Sequence, residues 1–141
     1  MIEMDIVAER PELMPKYETA GAAGMDLRAN TDVDIIIQPF SGALIPTGLK
    51  MSIPIGLEGN MRPRSGHYRK KGLDVEGTID SDFTGEVMIM CRNLTNCSIT
   101  IQPMERIAQI VISPCAQVKP KPVAFLKPTE RGSSGFGSTG V

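Results

Sequence analysis

Short apolar runs separated by turn residues set the pattern of this chain: DIIIQ at 34–38, GALIPTGLKMSI at 42–53, GEVMIMCRN at 85–93, SITIQ at 98–102 and RIAQIVIS at 106–113. β-branched runs of this length, punctuated by Gly and Pro, mark strands of a barrel or sandwich rather than alternating βα units. The pattern therefore predicts an all-β fold. Pro39, Pro46, Pro54, Pro63, Pro103 and Pro114 fall near run ends or at breaks, where a missing N–H is tolerated. There is no internal repeat and no heptad. One polar stretch interrupts the pattern, RPRSGHYRKKG at 62–72. Ser65 suits an N-cap and Gly72 a stop, which predicts a single helix of about one and a half turns. From Pro128 onward the chain carries almost nothing that can join a core. The division expected is a domain over 1–127 and an arm over 128–141, either disordered or ordered by what it binds.

Length changes this picture little, since 141 residues suit one domain that buries roughly 68–70% of its unfolded surface. Without Trp, and with only 4 Phe and 2 Tyr, the core must come from Ile, Val, Leu, Met and Ala, and the 9 Met read as packing. A net charge of -1 supplies no overall field for nucleic acid or an anionic membrane, so any anion must be held by a local site. The 3 cysteines, Cys91, Cys97 and Cys115, form no CxxC pair and accompany 1 His. That argues against a disulfide framework or a zinc site, and they read as reduced thiols in β-structure. No apolar run approaches membrane-spanning length, and MIEMDIVAER lacks the cationic start of a signal peptide. The compartment expected is the cytoplasm, or the cytosol of an infected host.

Several stretches carry candidate chemistry. PRSG offers Arg64, the Ser65 hydroxyl and backbone N–H groups at a helix entrance, which is either simple capping or an anion site suited to phosphate. In GTIDSDFTGEV, Asp80 ends an apolar approach, where a carboxylate is either a turn acid or a general base aimed at a water. In AGAAGMDLRA, Asp26 and Arg28 lie opposite Met25 and Leu27 on an extended segment, as a buried ion pair or as a contact to metal-bound water. ERIAQIVI sets Arg106 and Gln109 in an apolar strand, so each needs a partner. Arg69, Lys70 and Lys71 read as a solvated helix face, and His67 and Tyr68 as surface or packing residues. The tail RGSSGFGSTG surrounds one aromatic, Phe136, with glycines after Arg131.

In order, AGAAGMDLRA, RPRSG, GLDVEGTIDSDFTGEV, ERIAQIVI and RGSSGFGSTG resemble the five motifs of the homotrimeric dUTPases, which split dUTP into dUMP and pyrophosphate, keeping uracil out of DNA and supplying dUMP for dTTP synthesis. The similarity spans nearly the whole chain. It implies a jelly-roll-type β-barrel with one short helix, a threefold homotrimer with sites between subunits, and a flexible C-terminal arm that closes the site of a neighbouring subunit.

The resemblance also implies residue roles. Asp80 matches the carboxylate that orients and activates the attacking water and meets the 3′-hydroxyl. The reaction is then in-line attack on the α-phosphorus, with pyrophosphate leaving as its Mg²⁺ complex. Mg²⁺ is expected on the three phosphates, with Asp26 touching its water shell. Arg64, Ser65, Gly66 and Gln109 match phosphate contacts, and Arg28 and Arg106 match residues that brace the site. Phe136 is expected on the uracil, Gly137 at close backbone approach, and Arg131 on the γ-phosphate with Ser138 and Thr139 nearby. Phe83 stands where many members carry Tyr, its ring packing on deoxyribose and excluding a 2′-hydroxyl.

The sequence departs from the family in GLDVEGTID, where many members have an Asn or a Gly-rich hairpin. Asp74, Val75, Gly77, Thr78 and Ile79 are the expected uracil contacts. An ionised Asp74 accepts from N3–H but cannot donate to the carbonyls, which leaves that task to backbone N–H groups. Two rivals share the fold: a dCTP-processing deaminase, and a non-catalytic nucleotide sensor or protein-binding relative. The complete arm argues against the first, and intact Asp80 and Arg131 argue against the second.

Overall fold

The computed structural model describes residues 1–140; residue 141, the last of the expected arm, lies outside the described residues. One antiparallel sheet contains β1 (Asp5–Ala8), β4 (Gly42–Ser52), β8 (Glu86–Asn93) and β6 (Leu73–Glu76) in the order β1-β4-β8-β6. A second contains β2 (Met25–Arg28), β10 (Arg106–Pro114), β5 (Leu57–Pro63) and β7 (Thr78–Ile79) in the order β2-β10-β5-β7. A two-stranded ladder pairs β3 (Ile35–Ile37) with β9 (Ile99–Ile101). The architecture is all-β, as the runs predict, and jelly-roll-like, as the resemblance implies. Its strands form three separate sheets instead of one closed ring.

Side-chain alternation along the long strands explains how the sheets face each other. β4 buries Ile45, Thr47, Leu49 and Met51, and β8 buries Val87, Ile89, Cys91 and Asn93, each every second residue. These side chains meet Leu27, Ile37, Ile101, Ile107 and Ile110 in one core. Its two buried polar residues are both satisfied: Thr47 Oγ1 donates to Val87 O, and Asn93 Nδ2 donates to Ile37 O, Gln38 O and Cys97 O. Asn93 thereby ties β8 to the small ladder. Pro46 lies inside β4, where the register to β8 shifts between Pro46 and Lys50, so the absent N–H falls at an irregularity.

Among the described residues there is one α-helix, α1, which runs Ser65–Lys71 and ends at Gly72, whose left-handed φ of 66° lets its N–H reach His67 O and Tyr68 O; Pro11–Leu13 adds one turn of 3-10 helix. Ser65 is the first helical residue and not the N-cap. That place belongs to Arg64, held extended at ψ 134° between the end of β5 and the ion pair its guanidinium makes. Of the cysteines, only Cys91 lies in a strand; Cys97 and Cys115 are exposed outside the ladders, and all three are free thiols. Burial pushes the Cys91 thiol up to about 12. The last strand ends at Pro114, before the expected boundary at 127/128. The stretch between forms no helix or strand and is exposed, with Val118 at 83%, Phe125 at 84% and Leu126 at 83% accessible. None of the described helices is long and apolar enough to cross a membrane.

Candidate active site

β2 and β10 pair so that Gln109 lies opposite Asp26 and Arg106 opposite Arg28, which gathers the polar residues of two motifs on one face. The opposite face of β2 buries Met25 and Leu27, as the alternation predicts. Asp26 Oδ1 accepts from Arg64 Nε at 3.1 Å and Oδ2 from Arg106 Nη1 at 3.3 Å, with the carboxylate 14% exposed. Arg64 Nη1 also donates to Arg106 O at 3.1 Å, so the helix entrance is bound to the start of β10 from two directions. Arg28 Nη1 donates to Met104 O and braces the turn before β10. Gln109 Nε2 donates to Pro63 O. A Cβ on Gly24 would sit 2.6 Å from Gln109 Oε1, so this part of AGAAG must stay bare for Gln109 to lie where it does. Ser65 and Gly66 are exposed at the start of α1, and nothing crowds the Gly66 Cα.

Two residues absent from the expected set join this cluster. Glu18 Oε1 lies 3.3 Å from Arg106 Nη1, sharing that guanidinium with Asp26. Glu105 Oε1 accepts from Lys71 Nζ at 2.6 Å and contacts His67 Nε2 at 2.9 Å, and its Oε2 accepts from the Gln102 N–H. Burial pushes the Glu105 carboxyl up, but the hydrogen bonds from Lys71, the Gln102 N–H and His67 outweigh it and hold the group below 4.5. His67 and Lys71 are thus not simply solvated. The only sign in the sequence was position: both Glu residues sit in polar flanks of motifs already singled out.

The second group lies at the other end of β5. Thr78 and Ile79 pair with Asn60 and Gly59, which sets Asp80, exposed, just past β7. Asp80 borders a cleft of about 240 Å³ together with Leu44, Phe83, Glu86, Met88 and Met90. The Phe83 ring lies over bare backbone, since a Cβ on Gly85 would fall 2.8 Å from its Cζ. Gly77, at φ 150°, is where the chain passes from one sheet to the other, so that β6 and β7 diverge as outer strands of their sheets. Val75 and Ile79 turn their side chains into the core at 3% and 8% exposure, which leaves only their backbone to face outward. Asp74 is half-buried beside a cleft that also includes Glu76 and Arg92, themselves 3.0 Å apart.

These two groups do not meet within one chain. Gly59, opposite Ile79, and Arg64, just past the end of β5 and still extended, are five residues apart, or about 16 Å at the usual strand rise. Nor does the arm meet either group. Arg131 Nε is turned onto Ser134 O, Phe136 is fully exposed at φ 51°, and Gly137, Ser138 and Thr139 lie in exposed turns.

Fold and site together define an all-β, jelly-roll-type protein with a cationic helix entrance, a separate exposed carboxylate and a glycine-rich C-terminal arm. The family model described as dUTPase matches residues 11–140, and the chain belongs to that family. Among its relatives, the deoxyuridine 5'-triphosphate nucleotidohydrolase of Fusobacterium nucleatum is 45% identical, over 99% of this chain and 97% of the relative. That of Bdellovibrio bacteriovorus is 47% identical, over 90% and 87%. Among solved structures, a substituted Staphylococcus bacteriophage 80alpha dUTPase with dUpNHpp superposes with a TM-score of 0.89 at 27% identity, covering 100% of both chains.

Proposed function

We infer that this protein hydrolyses dUTP to dUMP and pyrophosphate. The observation that carries the reading is family membership along almost the whole chain, by a family model over 11–140 and relatives named for this reaction. A nucleotide analogue, dUpNHpp, is bound in a neighbour of the same fold.

Asp80 is the general base. It takes a proton from water as the water attacks the α-phosphorus in line, and the bond to the bridging oxygen breaks to release pyrophosphate. Its exposure at the rim of an apolar cleft suits a group that must meet both water and nucleotide. Phe83 forms the wall against deoxyribose. Asp74 accepts from uracil N3–H, and the outward backbone of Val75, Gly77, Thr78 and Ile79 supplies the donors a carboxylate lacks. Arg64, Ser65, Gly66 and Gln109 hold the phosphates, braced by Arg28 and Arg106. The arm, 128–141, adds Arg131 on the γ-phosphate, Phe136 on the base, and Gly137, Ser138 and Thr139 around them.

A homotrimer with shared sites accounts for the separation along β5, because a second copy can bring its helix entrance to the first copy's Asp80. Mg²⁺ is the expected cofactor, and Asp26 fits a contact through water: each carboxylate oxygen accepts from one guanidinium and keeps a lone pair that can accept from a metal-bound water. Phosphate oxygens of the nucleotide are the ion's expected ligands. When bound, the ion neutralises charge on the phosphates.

Pyrophosphate release from dUTP, dTTP, dCTP and UTP, assayed in parallel with Mg²⁺, tests the reading. Release from dUTP alone is expected. Release from several nucleotides would remove the uracil assignment, and binding of dUTP with no release would favour the sensor.

A further inference from the structure

We propose that Glu105 is a positioning residue for phosphate binding, acting through α1 and Arg64, an inference that rests on the function just proposed. One carboxyl gathers three donors from two elements. His67 and Lys71, four residues apart on one face of α1, both meet Oε1, and the Gln102 N–H meets Oε2 in the turn before β10. The next residue completes the link, since Arg106 O accepts from Arg64 Nη1 and the Arg106 guanidinium pairs with Asp26.

Glu105 and Arg106 therefore hold the two ends of one short segment. Arg106 fixes Arg64 before the helix, and Glu105 fixes the helix that carries Ser65 and Gly66. α1 has no buried side chain of its own and is only seven residues long, so packing alone leaves its direction weakly determined. The side-chain link to Glu105 supplies that restraint. Glu105 touches no reacting atom in this arrangement; it sets where Arg64, Ser65 and Gly66 meet the phosphates.

Glu105→Gln keeps the shape but offers one accepting oxygen where the carboxylate has two, so the link to α1 or the link to Gln102 is lost. The measurement is kcat/KM for dUTP beside the inhibition constant of dUMP, which keeps only one of the three phosphates assigned to this segment. The expected result is a fall in kcat/KM of about tenfold with dUMP binding changed less than about twofold. His67→Ala should move kcat/KM the same way, and His67→Gln, which keeps a donor of similar reach, should restore it. Should Glu105→Gln not fold, the His67 pair carries the test. Equal losses for dUTP and dUMP, no loss at all, or no rescue by His67→Gln would overturn the proposal. A wild-type protein that does not hydrolyse dUTP would instead overturn the function on which it rests.

Discussion

Glu105 accepts from His67, Lys71 and the Gln102 N–H at once, and these bonds outweigh the burial that opposes its charge, so its carboxyl stays below 4.5 in the folded protein. The sign of the consequence follows from linkage. A carboxyl whose folded pKa is depressed contributes stability that is fully present above its unfolded value and is lost as pH falls through the folded one. Glu105→Gln has no such contribution at any pH. The urea midpoint of the wild type should therefore exceed that of Glu105→Gln above the unfolded value, and the gap should shrink as pH falls below 4.5. A gap that persists undiminished down to about pH 3 would show that the carboxyl is not held low by these partners.

The arm is an element without a core, since residues 131–134 and 136–140 are exposed and its hydrogen bonds are to itself. Deleting 131–141 should leave the urea midpoint nearly unmoved, as surface changes usually stay within about 0.5 kcal/mol. Turnover of dUTP should fall by at least about 10²-fold, the cost typical of losing one donor to developing charge. Loss of folding instead would make the arm structural. Elements with dense β-branched runs were legible in advance: 34–38, 42–53, 85–93, 98–102 and 106–113 became β3, β4, β8, β9 and β10. β5 was not, because its buried face reads Gly59 and Met61 among Glu58, Asn60 and Arg62. A Cβ on Gly59 would fall 2.9 Å from Ile110 Cδ1 and 3.0 Å from Ile53 Cδ1, so close packing demands a glycine where the apolar pattern wants a large side chain. At the site, the need of Arg106 and Gln109 for partners could be read from an apolar strand, and both have them. Glu18 and Glu105 could not be found that way, because a carboxylate in a polar turn looks the same whether solvated or bonded.

At the scale of the whole molecule, β5 sets the distance between the two polar groups. Asp80 lies beyond one end of β5 and Arg64 just past the other, while the chain leaves the sheets near Asp80, beside Cys115 and Gln117, and the arm that follows returns to neither group. In the homotrimer proposed above, a complete site draws on more than one copy, and closed symmetry lets each copy give and receive the same parts. Two inactive variants should rescue each other. Asp80→Asn loses the general base, worth about 10²–10⁴-fold, and deletion of 131–141 loses the arm. Co-refolded in equal amounts, they form sites in which one chain supplies Asp80 and another an intact arm. Random association places both in about a quarter of the sites, so roughly that share of wild-type activity should return. The same two proteins refolded separately and mixed only at assay should show none of it, provided that the subunits do not exchange. Failure of the co-refolded mixture would mean that each chain closes its own arm over its own Asp80, and that the exposed segment after Pro114 folds back instead of crossing to a neighbour.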